Sequence, residues 1–371
     1  MLDFTSALYL GMDHAHHSLN PWAALTTGRP AALESPPGAG TLAEDLARLI
    51  GCERATLGTS TLHIFFDLFE VLAREGIAIF MDAGTYPILR WGVERMAAKG
   101  VPVTTFPTHD ADAFERVLTQ SHRSGLRPVV VTDGLSPATG RAAPLDRYLR
   151  LARAHRGWVV VDDTQALGIL GARPASAAPY GRGGGGTAAW YGLRGPELIV
   201  GASLAKGFGV PLAVVGGSLG LIEAFESHSA CRVHCSPPSA AHLAAAAHAL
   251  ALNRREGDER RHRLALGVQR FRWRLHAAGL AVSGGFFPVQ TPSLEPAAAS
   301  VHARLHAGGI RAVLHRPSQD RPARASFLIT ATHRPWEIDR AAAALVQIAG
   351  TPNARNSMRL GNDGQAAELH A

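Results

Sequence analysis

Two aspartates follow an apolar run near the middle of the chain. Trp158 and three valines precede Asp162 and Asp163, a pattern that predicts a buried strand ending in paired carboxylates. Ligands of open α/β sheets bind at the carboxyl ends of the strands, and a buried acid there is costly unless it meets a cation. The sequence therefore indicates a charged binding site, although an aspartate that caps the next turn explains the same pattern.

One of the only two lysines lies in a glycine-rich turn, at Lys206 of GASLAKGFG (201–209). A lysine in an apolar pocket loses its proton readily and becomes a nucleophile or a Schiff-base former. Gly207 follows it where a phosphate-binding P-loop needs Ser or Thr for magnesium. The glycine run 183–186 follows no predicted strand, so a dinucleotide fingerprint is weak. The other lysine, Lys99, is predicted to be a helix C-terminal cation.

A third group, Gly58-Thr59-Ser60-Thr61, precedes an apolar segment with helical character. Free N–H groups and hydroxyls at a helix N-terminus form a generic phosphate site. Ser60 as an ordinary N-cap explains the same residues equally well.

Helical and strand-like segments alternate along the chain, and we expect them to position these residues. Helices are predicted at 41–50, 61–74, 90–99, 111–120 and 145–155, and buried parallel strands at 77–81, 101–106, 128–132, 158–161, 198–200 and 214–217. This alternation predicts an α/β fold whose large domain has a mainly parallel, doubly wound sheet. An Ala-rich helix and an Arg-rich helix then lead to segments at 279–283, 297–308, 310–314, 325–330 and 335–348.

The predicted domains are an N-terminal segment (1–40), a large domain that carries all three groups (41–245) and a small α+β domain (246–350). Residues 351–371 are predicted to be a flexible tail.

Composition limits the other function classes. The 371 residues carry a formal charge of +7, but the densest basic run, 254–274, has apolar residues at helical spacing and is predicted to be the wet face of a helix. We therefore expect no nucleic-acid partner. Three cysteines do not make a disulfide framework or a zinc motif, so no metal is expected. No membrane span and no secretory leader are recognised, which predicts a cytoplasmic protein.

A phosphate-binding turn, a strand-end aspartate and, 44 residues later, a lysine in an S-x-x-K-G turn together resemble the site of fold-type I pyridoxal phosphate enzymes. Within that group the chain resembles the α-oxoamine synthase family of the class I/II aminotransferase superfamily. The motifs that carry the resemblance are DFTSALYLG (3–11), DGLSPATGRAAPL (133–145), VDDTQALGILG (161–171), GASLAKGFG (201–209), HRP (315–317) and TATHRPWEID (330–339).

The resemblance implies a role for each matching residue. Lys206 would hold pyridoxal 5'-phosphate covalently and then move the Cα proton of the substrate, while Asp162 would pair with the pyridinium nitrogen. Arg316 would grip the amino-acid carboxylate, although a surface arginine before a proline is the plain alternative. The remaining residues assigned to the cofactor are Ser60, Thr61, Leu62, Tyr86, Asp133, Gln165, Ser203 and Ser236. Ser236 matches a position that reaches the neighbouring subunit, which implies a homodimer with a shared active site.

The chain departs from the family pattern at Gln165, where the family has a histidine, and at Ala7 and Pro137. Glutamine is neither an acid nor a base. The leading hypothesis is an acyltransferase that condenses an amino acid with an acyl thioester of coenzyme A or a carrier protein, in a biosynthetic pathway. The alternatives are an aminotransferase, a decarboxylase or a racemase that uses the same cofactor. A non-catalytic binding protein is a further, weaker alternative.

Overall fold

The computed structural model describes residues 1–121, 125–137, 139–294, 297–317 and 322–350, so the predicted tail lies outside the described residues. Contacts divide the chain into two compact units. The larger unit comprises Leu10–Ser136 and Arg141–His262. The smaller unit comprises Met1–Tyr9, the described residues of 137–140 and the described residues from Arg263 onward.

The strands, in chain order, are β1 (Leu2–Asp3), β2 (Arg54–Gly58), β3 (Ile77–Asp82), β4 (Val103–Phe106), β5 (Arg127–Asp133), β6 (Trp158–Asp162), β7 (Leu198–Ser203), β8 (Ala213–Gly217), β9 (Val282–Ser283), β10 (Val289–Pro292), β11 (Ile310–Arg311), β12 (Val313–His315) and β13 (Arg324–Leu328). The α-helices are α1 (Ala39–Ile50), α2 (Thr61–Ala73), α3 (Pro87–Ala98), α4 (Ala111–Ser121), α5 (Leu145–Ala154), α6 (Gly186–Tyr191), α7 (Leu219–His228), α8 (Ala230–His234), α9 (Ala240–Ala277), α10 (Ala298–Ala307) and α11 (Pro335–Ala349).

The larger unit is built on a seven-stranded sheet of order β2-β8-β7-β6-β5-β3-β4. β4, β3, β5, β6 and β7 pair in parallel, whereas β8 pairs antiparallel with both β7 and β2. The mainly parallel sheet with its helices confirms the predicted α/β class. The expectation that 214–217 is a parallel strand is wrong, because the connection from Ser203 to Ala213 is too short for a parallel crossover, which needs a dozen or more residues.

The core of this unit explains why these segments form the sheet. β3, β5 and β6 are buried almost throughout, and α2 and α3 pack on them through apolar side chains such as Phe65, Phe69 and Val93. Gly201 on β7 lies so close to α2 that an added Cβ would be 2.5 Å from the Phe65 ring. The absence of a side chain at Gly201 therefore allows α2 to lie directly on the strand that leads to Lys206.

The smaller unit contains the antiparallel sheet β12-β13-β10-β9 and a short parallel pair of β1 with β11. Helices α10 and α11 bury Val301, Leu305, Ile338 and Leu345 in its core.

Strands β2 and β10 were not predicted from the sequence. Each is short and interrupted by polar residues, so its identity depends on the partner strand rather than on local pattern.

The predicted Ala-rich and Arg-rich helices form one helix, α9, of 38 residues. The larger unit ends at His262 inside α9, and the proposed division between residues 245 and 246 falls in the same helix. No helix in the described part of the chain combines the length and apolar character that crossing a bilayer demands.

Candidate active site

Lys206 lies in the short turn that joins β7 to β8. The turn is closed by backbone hydrogen bonds from Leu204 N to Leu212 O (2.8 Å) and from Phe208 N to Leu204 O (3.1 Å). Burial lowers the pKa of the Lys206 amine, and the negative charges of Asp162 and Asp133 oppose that shift. The turn therefore places a largely desolvated amine beside two carboxylates.

Asp162 is the last residue of β6 and is buried. Its Oδ1 accepts a hydrogen bond from Thr164 N at 3.0 Å. Burial raises the pKa of Asp162, while the hydrogen bonds from Thr164 and the charge of Lys206 act in the opposite direction. A cationic partner within the cleft thus favours the ionised carboxylate.

Asp133 ends β5 and lies opposite Asp162 in the strand register. Its Oδ1 accepts a hydrogen bond from Tyr86 N at 3.1 Å, and Tyr86 is the residue before α3. Burial, followed by the nearby charge of Asp162, raises the pKa of Asp133 to about 8. Two neighbouring strand-end acids therefore do not ionise together easily.

This raised pKa makes stability depend on pH in a predictable direction. Since the folded protein holds the Asp133 proton up to about pH 8 and the unfolded chain releases it near pH 4, this contribution is complete below about pH 4 and is lost as pH rises through about 8. Asp133→Asn removes this titration. Between about pH 5 and pH 8.5, the melting temperature of the cofactor-free wild type should fall. This fall should exceed that of Asp133→Asn over the same pH range by about 3 °C or more. The exposed Asp13→Asn variant is the control, and a pH-independent difference for both variants would contradict the prediction.

The predicted residues Lys206 and Asp162 lie on a single cleft of about 100 Å³ that is partly open to solvent. The lining residues are Thr61, Tyr86, Asp133, Asp162, Thr164, Gln165 and Lys206. Six of these seven were candidate site residues in the sequence. The ring of Tyr86 lies with its centroid 5.9 Å from Lys206 Nζ.

The N-terminus of α2 reaches this cleft through Thr61. Ser60 is the N-cap, and its Oγ accepts a hydrogen bond from His63 N (3.4 Å) and lies 2.8 Å from His63 Nδ1. The N-cap interpretation of Ser60 is therefore confirmed. The phosphate site remains a prediction, for which the N–H groups of Thr61 and Leu62, without acceptors within the helix, are available. The Leu62 side chain is exposed.

Five predicted residues do not line the cleft: Ser60 and Leu62 at the start of α2, and three residues elsewhere. Ser203 ends β7, where its N–H donates to Thr164 Oγ1 (2.9 Å) and its Oγ accepts from Ala205 N (3.2 Å). Ser236 lines a separate cavity with Thr59 and His63. Arg316 follows β12 in the smaller unit and is exposed.

Thr164 is a site residue that sequence reasoning missed. Its N–H binds Asp162 and its hydroxyl binds the backbone of Ser203, so it connects the ends of β6 and β7. The signal was present, since a Thr two residues after a strand-end Asp favours an Asx-type turn.

Asp163, the second acid of the pair, has a structural role, because its hydrogen bonds are to other residues of the fold. Its carboxylate accepts hydrogen bonds from Thr187 N (2.8 Å) and Thr187 Oγ1 (2.5 Å), and burial raises its pKa to about 6. Gly186 has a φ of 84°, and an added Cβ there would lie 1.8 Å from Asp163 Oδ2. Within the glycine run 183–186, position 186 therefore requires glycine, because a side chain there would clash with the buried Asp163 carboxylate.

Comparisons with known proteins agree with this geometry. A family model described as aminotransferase class I and II matches residues 12–345. The 8-amino-7-oxononanoate synthase of Methylococcus capsulatus is 31% identical over 305 residues, which cover 80% of this chain and 74% of that protein.

Two solved structures have the same fold. Serine palmitoyltransferase from S. paucimobilis, with bound PLP and myriocin, superposes with a TM-score of 0.80 at 18% identity, covering 93% of this chain and 86% of that one. The 8-amino-7-oxononanoate synthase of Francisella tularensis superposes with a TM-score of 0.73 at 17% identity, covering 94% and 97%.

The chain belongs to the class I and II aminotransferases, and its cofactor is pyridoxal 5'-phosphate. Within that class it is a member of the α-oxoamine synthase family, whose reaction is the condensation of an amino acid with an acyl thioester. The predicted family, fold class, cofactor and class of reaction are confirmed. The individual site residues and the homodimer remain predictions.

The donor set of the cleft fits pyridoxal phosphate. A desolvated amine matches its aldehyde, and a buried carboxylate that needs a cation matches its protonated ring nitrogen. The N–H groups of Thr61 and Leu62 at the start of α2, which have no acceptor within the helix, match its phosphate.

Proposed function

We propose that this chain is a biosynthetic acyltransferase that joins the α-carbon of an amino acid to the acyl group of a thioester at the Lys206 cleft. The observation that carries the proposal is the placement of Lys206, Asp162 and Asp133 around one cleft beside the N-terminus of α2. The cofactor, when bound, withdraws electrons from the amino-acid α-carbon and so makes its carbanion accessible.

Lys206 has two proposed roles. Its lowered pKa favours the neutral amine, which is the form that attacks an aldehyde. The same amine would take the Cα proton of the amino acid and later return one. Both roles need an amine that is desolvated and held within the cleft.

Several other groups would hold the cofactor. Asp162 would ion-pair with the ring nitrogen and keep it protonated, while Tyr86 would contact the ring face. The phosphate would lie at the first turn of α2, among Ser60, Thr61 and Leu62. Asp133, Gln165 and Ser203 would complete the polar surroundings.

Arg316 is the proposed clamp for the substrate carboxylate, because a guanidinium donates two parallel hydrogen bonds to a carboxylate. We also propose a homodimer in which Ser236 serves the neighbouring subunit's cofactor. Exposed apolar side chains on α2 and α3, at Leu62, Phe66 and Trp91, support an interface on these helices. A monomer in sedimentation analysis at micromolar concentration would contradict the dimer.

The test of the function is thiol release. The cofactor-loaded protein should release free thiol from an acyl-coenzyme A or acyl-carrier protein only when a suitable amino acid is present, in a panel of amino acids and acyl chain lengths. Absence of thiol release across the panel would contradict acyl transfer. Keto-acid formation without an acyl donor would favour transamination, for which Gln165 in place of the family histidine is the supporting observation.

A further inference from the structure

One histidine outside the cleft, His14, contacts the turn that carries Lys206, and a second, His248, contacts His14. His14 Nε2 lies 2.6 Å from the carbonyl oxygen of Phe208, two residues after the lysine. On its other side, His14 Nδ1 lies 3.1 Å from Nδ1 of His248, which is on α9. Both imidazoles are half-buried, and their rings meet edge to face with centroids 5.3 Å apart. The three groups form a continuous chain from α9 to the lysine turn.

The chemistry of the partners fixes the direction of these hydrogen bonds. A carbonyl oxygen only accepts, so His14 Nε2 carries the hydrogen. In neutral His14 the other nitrogen, Nδ1, is then an acceptor, and His248 Nδ1–H donates to it. The order is therefore His248 to His14 to the Phe208 carbonyl, and each nitrogen in it has a defined role.

The backbone at His14 is shaped for this contact. Its φ is 49°, in the left-handed region that most side chains avoid, and residues held there need a compensating interaction. The hydrogen bonds of the imidazole to Phe208 and His248 are that interaction. His14 is therefore ordered by the same contacts that it makes to the lysine turn.

A displacement of Phe208 would also displace Lys206, because the turn that carries both residues is tightly packed. The Phe208 side chain is fully buried, and Gly209 after it has a φ of 68°. An added Cβ at Gly168 would lie 3.1 Å from the Cα of Gly207, so the turn also lies close to the loop after β6. A turn confined in this way has few alternative positions for Lys206 once the Phe208 carbonyl is held.

We propose that His14 and His248 are positioning residues that hold the Phe208 carbonyl and thereby fix Lys206 in the cleft. This inference rests on the proposed role of Lys206. It concerns the placement of the amine and not proton transfer by either imidazole. Charged groups on α9 that face His248 are Arg255 and Glu256.

The variants follow from the hydrogen-bond roles. His14→Leu removes the donor to Phe208, whereas His14→Gln keeps an N–H at about the reach of Nε2. His248→Leu removes the donor to His14, whereas His248→Asn keeps an N–H at about the position of Nδ1. The exposed His17→Leu is the matched control for loss of a histidine from the same segment.

The readout uses the two lysines of the chain. With ¹³Cε-lysine incorporated, the cofactor-free full-length protein should give two lysine signals, and Lys99, ion-paired with Glu70 at 2.6 Å, is an internal reference. In His14→Leu we expect the Lys206 titration midpoint to rise by about 0.5 pH unit or more, because the released amine gains solvent. The cofactor-loaded protein should show a shift of the pH midpoint of its visible absorbance and about five-fold weaker cofactor retention.

The expected pattern is that His14→Leu and His248→Leu move the Lys206 signals, while His14→Gln, His248→Asn and His17→Leu leave them near wild type. An unmoved Lys206 in a folded His14→Leu protein, or a His14→Gln protein that behaves like His14→Leu, would overturn the inference. If His14→Leu does not fold, the pair His248→Leu and His248→Asn decides in the same way. A wild-type protein that binds no pyridoxal phosphate would refute the proposed function, and the cofactor-free titration would still decide the inference.

Discussion

Lys206→Ala should abolish the visible absorbance that bound pyridoxal phosphate gives the wild-type protein. The variant lacks the amine that bonds the cofactor, and the other lysine, Lys99, is ion-paired with Glu70 away from the cleft. Thiol release should fall by at least about 10³-fold, since the change removes a nucleophile and also a proton-transfer group worth about 10²–10⁴. Absorbance spectra and thiol assays on the same samples measure both effects.

Two further variants sharpen this prediction. Lys206→Arg keeps a long basic side chain but should be equally inactive, because a guanidinium stays protonated and forms no ordinary Schiff base. Lys99→Ala should keep both absorbance and activity. Wild-type absorbance in Lys206→Ala, or its loss in a folded Lys99→Ala protein, would show that the cofactor is held elsewhere.

Asp162→Asn should lower thiol release by about 10²–10³-fold while the protein still folds. Asparagine has nearly the same shape but carries no charge, so it does not stabilise a protonated ring nitrogen. Asp162 is buried and shares the cleft with Lys206, so its carboxylate acts in a medium of low polarity where charge interactions are strong. Steady-state rates at saturating amino acid and thioester measure the effect.

Asp163→Asn is the matched control, one residue further along. Its carboxylate bonds Thr187 and does not line the cleft, so we expect a lower melting temperature with most of the activity retained. An Asp162→Asn protein with wild-type rates would contradict the assignment of Asp162. Equal losses of activity in two well-folded variants would contradict the division of roles between the two acids.

The strand-end aspartates and the lysine turn could be predicted because local sequence determines them. Three valines before Asp162 form a buried strand, and small residues around Lys206 form a tight turn. The direction of β8 was predicted wrongly, since a run of apolar residues indicates burial but not strand polarity. The length of the connection was the better guide.

Other parts of the site depend on contacts between distant residues. His14 and Phe208 are 194 positions apart, and no local pattern in a segment containing His14, His16 and His17 distinguishes the one that bonds the lysine turn. Local pattern does not distinguish the acids at 162 and 163 either. The family resemblance selected Asp162, and the contacts of Asp163 with Thr187 and Gly186 give the second acid a structural environment. The assignments of Ser236 and Arg316 come from the family resemblance and remain predictions.

The central claim is that Lys206 is the residue to which pyridoxal phosphate is bonded. Borohydride reduction of the cofactor-loaded protein makes that bond permanent, and peptide mapping by mass spectrometry then locates the added mass. The account predicts the modification on the peptide that contains Lys206 and unmodified Lys99, at close to one cofactor per chain. Modification of Lys99 alone, or no covalent cofactor in a protein that catalyses acyl transfer, would contradict it.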